Sequence, residues 1–388
     1  MFYITQKIVI SLYGKAINPK SIYIYSLFFM KHFIIFMKQF SDNTLLLYYI
    51  CYYYGMKKQN SLPTMKDVAK EAGVSLGTVS NVFNGQAVGE SYRLKVEEAA
   101  RKLGYRLNGS ARALKTNQTD SIALLIPSIK HPFFAALTDE ITDCLMQRGY
   151  RNNLMITNFD PDAEQKSIEL IMQHKIDGII GLTYHPDLVI EESLPFVSID
   201  RHFSAGVPCV SSDNFGGGQM AAEKLIELGC RNLLFFRIGS DIYGEVNKRE
   251  SGFESICRSR NIKYNSIVLN DSETEGPFYE YLRSGIHDGI PEYDGIFCNS
   301  DQLAVHVVSF LRSEGLRVPE DVQVIGFDWI RSFYTDKVIC STIVQPIRQM
   351  AEAAVDIILN KDGAAAPALV SLPVRYEPGG TTRDILPV

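Results

Sequence analysis

Cysteine is sparse in this chain of 388 residues and follows no regular pattern. The seven cysteines form no Cys-x-x-Cys pair, and no histidine stands at metal-ligand spacing from them. Disulfide frameworks and zinc sites both need such patterns. We therefore expect reduced, buried thiols in a cytoplasmic protein that uses no metal and no other cofactor.

Long apolar runs are missing as well. The apolar stretches near the start of the chain, Ile22–Met30, Phe33–Met37 and Thr44–Met56, are separated by charged or polar residues. None reaches the roughly 18–20 residues of a membrane-spanning helix, and the pattern of a signal peptide is not seen. We therefore expect no membrane partner.

Residues 1–55 differ in composition from everything that follows, because nine of the 20 tyrosines and six of the 21 phenylalanines lie there. Three interpretations stay open: a membrane anchor, a peripheral amphipathic segment, or a disordered stretch that is not in the natural product. We favour the last, because Tyr, Ile, Phe, Lys and Asn are what AT-rich DNA encodes when it is translated without selection. Met56 would then begin the protein.

Enzyme motifs are also missing. No Gly-x-Gly-x-x-Gly follows a predicted strand, and Gly216–Gly218 precedes a predicted helix without the spacing of a dinucleotide site. No Ser/His/Asp arrangement and no pair of catalytic carboxylates emerges. The sequence therefore predicts a protein that is not an enzyme.

Charge is present but unevenly spread. The formal net charge of −5 combines +4 on residues 1–55, +6 on residues 56–118 and −15 on residues 119–388. Such asymmetry is typical of a nucleic-acid-binding head joined to a body with another task. A solvated charge run on a helix face is the alternative.

The basic head carries a regular helical pattern. Thr64, followed three residues later by Asp67, predicts the start of a helix that runs through Glu71 and ends before Gly73. Ser75 is predicted to cap a second short helix. Two short helices joined by a turn with glycine indicate a helix-turn-helix, whose second helix enters the major groove.

A third helix is predicted from Ser91 to Leu103, which leaves a generic helical bundle as the competing interpretation. The exposed side of the second helix carries short, uncharged groups that suit base edges: Leu76, Gly77, Thr78, Ser80 and Asn81. Basic residues nearby suit phosphates: Lys66, Lys70, Arg93, Lys95 and Arg101. Of the remaining residues, Thr64 is also predicted to contact DNA.

The pattern D-V-A-x-x-A-G-V-S-x-x-T-V-S-x-V-x-N-G at Asp67–Gly85 resembles the LacI family of bacterial transcriptional regulators. The resemblance runs from about Thr64 to Arg383. It implies that Leu76, Gly77 and Asn81 read the operator, supported by their neighbours on the same helix. Many members carry Arg at the position of Asn81, which pairs with guanine, whereas Asn favours adenine.

Residues 108–118 resemble the family's hinge segment. The resemblance implies a helix that forms on DNA, lies in the minor groove and inserts Leu114 into a central base step. Asn108 and Ala111 are the other expected DNA contacts of this segment. Without the resemblance, the stretch would be only a linker.

The acidic body alternates apolar runs with helical periods, which predicts an α/β protein with parallel sheets. The predicted strands are Ile122–Pro127, Ile179–Leu182, Phe196–Ile199, Leu233–Ile238, Gly295–Asn299 and Val322–Phe327. The predicted helices are Phe133–Gln147, Asp162–His174, Gly217–Leu228, Lys248–Arg260, Asp301–Glu314 and Ile347–Leu359.

The body resembles the two-lobed fold of periplasmic sugar-binding proteins, which the LacI family shares. After the helix-turn-helix domain at 64–107 and the hinge, we predict a first lobe from 119–218 with 329–348. The second lobe is predicted from 219–328 with 349–388. The motifs that carry this resemblance include Ile199-Asp200-Arg201, Asn299-Ser300-Asp301 and Gly326-Phe327-Asp328. Most of them follow strand ends, where open α/β sheets bind ligands.

The side chains predicted in this cleft suit a sugar. Phe133 and Phe134 offer flat apolar faces to a ring, and charged or amide groups offer partners for hydroxyls: Asp200, Arg201, Arg249, Asp328 and Gln345. His131 and Ser300 stand where pentose-binding relatives often carry Asn. Trp329, the single tryptophan, borders the cleft or packs elsewhere. Each residue alone could equally serve the core or a structural ion pair.

The sequence therefore predicts a ligand-responsive repressor of a carbohydrate operon, which binds a palindromic operator as a homodimer. The small effector would be a sugar in the interlobe cleft. Two alternatives stay open: a sugar-binding component of a transport system, and a regulator with a vestigial cleft that answers to a partner protein.

Overall fold

The computed structural model describes residues 63–105, 118–183, 185, 188, 190–191, 194–201, 206–239, 244–269, 275–332, 335–360 and 367–383. The chain divides into two compact units, 1–108 and 109–388. The extension 1–55 lies outside the described residues. The predicted hinge contacts Asn108, Ala111 and Leu114 lie outside them too.

The first unit contains three helices in its described part: α1 (Met65–Ala72), α2 (Leu76–Phe83) and α3 (Glu90–Leu103). Their apolar faces meet in one small core built from Val68, Ala69, Val79, Val96, Ala99 and Ala100. The three predicted helices are confirmed, with ends that shift by about one residue. Helical periodicity places the apolar positions on one side of each helix, so packing fixes all three.

Local signals fix the turn between α1 and α2. Gly73 adopts φ 65°, the left-handed conformation that glycine accepts without strain, and so ends α1. Ser75 then accepts a hydrogen bond at its Oγ from the Thr78 amide, 3.0 Å away. This bond satisfies one of the free amides at the start of α2.

The second unit is built on two six-stranded sheets. The first sheet has the order β13-β5-β4-β3-β1-β2, and the second β14-β12-β11-β10-β6-β7. All described pairings in the two sheets are parallel except β12 with β14. The strands of the first sheet are β1 (Ser121–Ile126), β2 (Arg151–Ile156), β3 (Gly178–Gly181), β4 (Phe196–Ile199), β5 (Cys209–Ser212) and β13 (Leu369–Leu372). Those of the second are β6 (Asn232–Ile238), β7 (Lys263–Leu269), β10 (Gly295–Cys298), β11 (Gln323–Asp328), β12 (Ser341–Val344) and β14 (Arg375–Glu377).

Helices cover both sheets, and a short hairpin, β8 (Ile286–His287) with β9 (Ile290–Pro291), lies apart from them. The helices of this unit are α4 (Pro132–Gln147), α5 (Pro161–Gln173), α6 (Asn214–Glu227), α7 (Lys248–Ser259), α8 (Glu275–Ser284), α9 (Asp301–Ser313) and α10 (Ile347–Leu359). Strands covered on both faces read as continuous apolar runs, which is why most central strands were predictable. The predicted α/β class with parallel sheets is confirmed.

The predicted division of the lobes is wrong near its end. Residues 341–344 form a strand of the second sheet, whereas the prediction assigned 329–348 to the first lobe. The helix at 347–359 packs on the first sheet, and residues 369–372 pair with β5, whereas 349–388 was assigned to the second lobe. The chain therefore crosses between the sheets three times, and sequence periodicity carries no signal for such crossings.

Helices α6 and α7 cross at two glycines. A Cβ on Gly218 would lie 2.0 Å from the carbonyl oxygen of Arg249, and one on Gly252 would lie 2.0 Å from that of Phe215. Both obstacles are backbone atoms, so neither can swing aside. The crossing distance of the two helices therefore requires glycine on each side.

Six cysteines lie in the described part of the chain, and all six are free and buried. Burial raises the pKa of the thiols of Cys209, Cys230 and Cys257 to about 12. They therefore stay protonated at neutral pH and act as small core residues. Within the same described residues, no helix has the length and apolar character needed to cross a membrane.

Candidate functional site

The second helix of the small unit presents the predicted reading surface. Leu76, Gly77 and Asn81 are exposed, while Thr78 and Ser80 are half-buried. Leu76 is 44% exposed and is not among the residues of the small core. The surface is therefore free to meet a partner.

Hydrogen bonds separate supporting from reading side chains on this helix. The Thr78 hydroxyl lies 2.9 Å from the Ser75 hydroxyl, and Ser80 accepts from the Asn84 amide at 3.2 Å. The Asn81 side chain makes no hydrogen bond among the residues that the structure describes. This pattern fits the predicted roles, in which Thr78 and Ser80 support and Asn81 reads.

The other two predicted DNA contacts of this unit already have partners. The Thr64 backbone amide and hydroxyl donate to the Asp67 carboxylate at 2.8 and 2.7 Å, which confirms the predicted start of α1. Arg93 pairs with Glu90 at 2.6 Å and with Glu97 at 3.8 Å. Exposed pairs of this kind are weak, so a phosphate can replace the carboxylates around Arg93.

Four of the predicted effector residues belong to one buried polar network between the two sheets. Its first part follows β4 and β5. Asp200, with φ 56°, accepts from the Ser211 hydroxyl at 2.6 Å, and the same hydroxyl accepts from the Asn214 amide at 2.9 Å. Asn214 begins α6, so the network passes from the first lobe to the second.

Arg249 on α7 continues the network. Its Nε donates to the Asn214 side-chain oxygen at 2.7 Å, and its Nη1 donates to the Asn299 carbonyl. Its Nη1 also lies 3.9 Å from Asp328, and its guanidinium carbon lies 3.5 Å from the centre of the Phe327 ring. Arg249 is only 4% exposed, so these contacts replace its hydration.

Gln345 closes the network. Its Nε2 donates to Asp328 Oδ1 at 2.7 Å, and its Oε1 accepts from the Ser212 hydroxyl at 2.8 Å. Residues 345–346 connect the second sheet to the helix on the first, so Gln345 lies in a segment that crosses between the lobes. Ser211, Ser212 and Asn214 were not predicted as site residues, although their position just after a strand end is the signal that could have identified them.

Burial disfavours charge in this network. It raises the pKa of the Asp200 carboxyl and raises that of Asp328 to about 7, although Arg249 partly opposes both shifts. Asp328 Oδ2 is buried and has no hydrogen-bond partner among the described residues. The unpartnered Oδ2 favours a ligand hydroxyl, which can donate to the carboxylate or accept from the protonated carboxyl.

The aromatic side of the predicted site lies at the start of α4. His131 caps this helix through its Nδ1, which accepts from the Phe133 amide at 3.3 Å. Burial and the charge of Arg249 lower the pKa of His131 to about 4, so the imidazole is neutral at pH 7. The Phe134 ring lies 5.2 Å from His131 and 5.6 Å from Phe133, measured between ring centres.

A cavity of about 710 Å³ opens beside the network, within the size range of small-molecule sites. Phe133, Asp328 and Gln345 line it, and so does Trp329. The other predicted effector residues do not line this cavity: His131, Phe134, Asp200, Arg201, Arg249 and Ser300.

Two of those residues have structural tasks in this state of the protein. Ser300 caps α9, since its Oγ accepts from the Leu303 amide at 3.2 Å. Arg201 is buried, and its backbone carbonyl accepts from the Ser198 hydroxyl. Their contact with an effector stays a prediction.

Asp301 was not predicted as a site residue, although it directly follows the predicted Ser300. Its Oδ2 accepts from the amides of Trp329 and Ile330 at 2.9 and 2.7 Å, and its Oδ1 accepts from the Thr342 hydroxyl at 2.6 Å. Asp328 and Trp329 have φ 132° and 79°, which non-glycine residues rarely adopt. The carboxylate therefore holds two strained residues of the cavity wall in place.

Replacing Asp301 by asparagine should loosen that wall, because the amide nitrogen would face donors instead of accepting from them. We expect a change in the emission of Trp329, the single tryptophan, and a loss of about 1–3 kcal/mol in the free energy of unfolding. The control is Thr342→Val, which removes one donor and leaves both backbone bonds in place. Equal emission from wild type and Asp301→Asn would contradict the assignment.

Comparison with known proteins covers both units. Residues 64–108 match the family described as bacterial regulatory proteins of the lacI family. Residues 119–376 match the family of periplasmic binding proteins and the sugar-binding domain of the LacI family. The second match alone spans more than half of the chain.

Individual relatives agree. The sucrose operon repressor of Streptococcus mutans is 31% identical over 317 residues, which cover 80% of this chain and 96% of the relative. A periplasmic binding protein/LacI transcriptional regulator from Alkaliphilus metalliredigens, solved with D-xylulofuranose, has 27% identity and a TM-score of 0.60 over 68% of this chain and all of its own.

The lac repressor dimer bound to operator and the anti-inducer ONPF has 21% identity and a TM-score of 0.70, over 83% of this chain and all of its own, and it supports the fold. The predicted resemblance is thereby confirmed. The helix-turn-helix unit and the two-lobed body of parallel sheets together place the chain in the LacI family of bacterial transcriptional regulators.

Proposed function

We propose that this protein represses a carbohydrate operon, and that a sugar bound between the lobes controls its affinity for a palindromic operator. The observation that carries the proposal is the buried network Asp200–Asn214–Arg249–Asp328–Gln345, which joins both lobes beside a cavity of about 710 Å³. A ligand hydroxyl at Asp328 would enter this network and change how the lobes pack.

The sugar assignment has chemical support. Phe133 and Trp329 give the cavity apolar ring faces, while Asp328 and Gln345 give acceptor and donor groups for hydroxyls. The relatives named above are a sucrose operon repressor and a regulator solved with a pentulose. A family of DNA-binding regulators suits a cytoplasmic protein without enzymatic activity, and it disfavours the transport alternative.

DNA binding would use two copies of α2. One helix-turn-helix reads about half of a site, so a homodimer on a palindrome is the natural geometry. The hinge residues Asn108, Ala111 and Leu114 would add minor-groove contacts. Phosphate contacts would make the affinity fall steeply with salt.

The proposal is tested by deletion and footprinting in the native host. We expect loss of the gene to raise transcription of a carbohydrate operon, and the purified protein to protect a palindrome upstream of that operon. Deletion that leaves every carbohydrate operon unchanged, together with the absence of a protected site, would contradict it.

Replacing Asn81 by alanine should weaken operator binding while leaving the fold intact, because the exposed amide serves no described intramolecular contact. One bidentate base contact contributes about 1–3 kcal/mol of discrimination, which corresponds to about 5- to 150-fold in affinity. Fluorescence anisotropy on operator and on scrambled DNA measures the sequence-specific and the non-specific affinity. The scrambled duplex is the control, since phosphate contacts do not depend on sequence. Equal losses on both duplexes would show that Asn81 does not read a base.

A further inference from the structure

Three arginines line the cavity beside the buried network. Arg331, Arg348 and Arg375 lie on its wall, whereas the carboxylates on that wall are Glu140 and Asp328. The cavity therefore combines a cationic wall with one buried carboxyl group, a combination that an uncharged sugar does not need.

The three arginines differ in how far carboxylates already satisfy them. Arg348 donates to Glu140 and to Glu352, each at 2.8 Å, so two carboxylates hold it. Arg331 pairs with one carboxylate in the described residues, that of Asp336, at 3.3 Å from its Nε. Because Asp336 is highly exposed, that pair is weak and a stronger anion can displace it.

Arg375 resembles Arg331. Its described carboxylate partner is Glu377, 2.7 Å from its Nη1, and more than half of its side chain is exposed. The guanidinium carbons of Arg331 and Arg375 lie 4.8 and 5.4 Å from the centre of the Trp329 ring. Contact with the ring fixes both planar groups beside the cavity, and a guanidinium held in this way can donate two bonds to a phosphate.

The end of the cavity near Asp328 suits uncharged groups instead of an anion. The unpartnered Oδ2 of Asp328 favours a ligand hydroxyl, and the Phe133 ring lines the same space. A ligand that satisfies both ends of the cavity has hydroxyls and an apolar ring face at one end, and a multivalent anion at the other. Phosphate suits a pair of arginines, because a guanidinium binds two of its oxygens at once and a phosphate ester has three oxygens to share between them.

We propose that the ligand of this cavity is a phosphorylated sugar, whose phosphate ester binds Arg331 and Arg375 while its hydroxyls meet Asp328 and Gln345. This inference rests on the proposed function, because it names the class of the controlling sugar.

Calorimetry on the full chain tests the proposal with matched pairs of ligands. The probes are glucose, fructose and sucrose, each beside its 6-phosphate, with glucuronate and inorganic phosphate as separate arms. We expect one 6-phosphate to bind at least about ten-fold more tightly than its parent sugar, because charged hydrogen bonds are the stronger ones. Glucuronate and inorganic phosphate should each bind more weakly than that ester.

Variants assign the preference to the two arginines. Arg331→Met and Arg375→Met should each reduce the ratio of phosphorylated to parent affinity several-fold, and the double variant should remove it. Arg283→Met is the matched control, because Arg283 also pairs with a carboxylate, that of Glu314, and lies 5.4 Å from the centre of the Phe310 ring, but does not line the cavity. It should leave the ratio unchanged.

These experiments distinguish failure of this inference from failure of the proposed function. A parent sugar that binds as tightly as its phosphate and still releases operator DNA would overturn this inference and leave the proposed function standing. Glucuronate that binds as tightly as the ester would overturn the assignment of phosphate. Failure of every sugar to bind a protein that recognises its operator would overturn both.

Discussion

Replacement of Arg249 by alanine is expected to abolish the response of operator binding to sugar. The guanidinium holds Asn214, the Asn299 carbonyl and Asp328 together, and all of these contacts would be lost at once. The Asp328 carboxyl would remain buried beside an empty space. Removal of one partner from a buried ion pair commonly costs about 3–5 kcal/mol, so the free energy of unfolding should also fall by that order.

Because Arg249→Ala is expected to be unstable, a second variant, Arg249→Lys, is tested beside it. Arg249→Lys keeps the positive charge but loses the planar group that donates in two directions and covers Phe327. We expect it to fold, to bind operator DNA, and to respond to sugar only at much higher concentration. Arg283→Ala is the control, because its ion pair with Glu314 is exposed and its loss should change neither property. A folded Arg249→Ala protein with normal sugar release would contradict the role of the network.

Alanine at Gly218 or Gly252 is expected to disrupt the second lobe. The added Cβ would meet a backbone oxygen at 2.0 Å in either variant, so α6 and α7 would have to move apart. Overpacking of a core commonly costs about 1–3 kcal/mol, and a rigid backbone obstacle puts these variants at or above the upper end. The gain in helix propensity of alanine, about 1 kcal/mol, is too small to offset it.

Thermal unfolding measures this effect, and we expect Tm to fall by about 6–12 °C. Separation of the helices would also displace Arg249, which lies on α7, so sugar response should weaken in any molecule that still folds. Gly285→Ala is the matched control, because its Cβ would have its nearest neighbour at an ordinary 3.5 Å. A Tm for Gly252→Ala within about 1 °C of the wild-type value would contradict the close crossing.

Sequence patterns predicted the elements whose signals are local. The capping residues Thr64 and Ser75 and the left-handed Gly73 fixed the helix-turn-helix, and buried apolar runs located central strands such as Phe196–Ile199. Strands at sheet edges escaped prediction. Arg151–Ile156 begins with three polar residues, and its partly exposed face carries no continuous apolar run.

Contacts between segments that are distant in the chain also escaped prediction from the sequence. The approach of Gly218 to α7, the three crossings between sheets, and the bonds from Asp301 to the strained Trp329 all join residues that are far apart in the chain. No local pattern encodes such pairs. Asp200, Arg249, Asp328 and Gln345 were predicted because each follows or faces a strand end in a recognisable motif, whereas their common network became visible only in the fold.

The central claim is that operator DNA and sugar are coupled through one conformational equilibrium. Linkage then requires that a sugar that changes the affinity for operator by some factor has its own affinity changed by the same factor, in the same direction, in the presence of operator. Fluorescence anisotropy on operator DNA gives the first factor, and calorimetry of sugar binding with and without saturating operator gives the second. We predict equal factors of about 5–150, and loss of both in Arg249→Ala protein that still folds. A sugar that binds with the same affinity whether or not operator DNA is present would contradict the account.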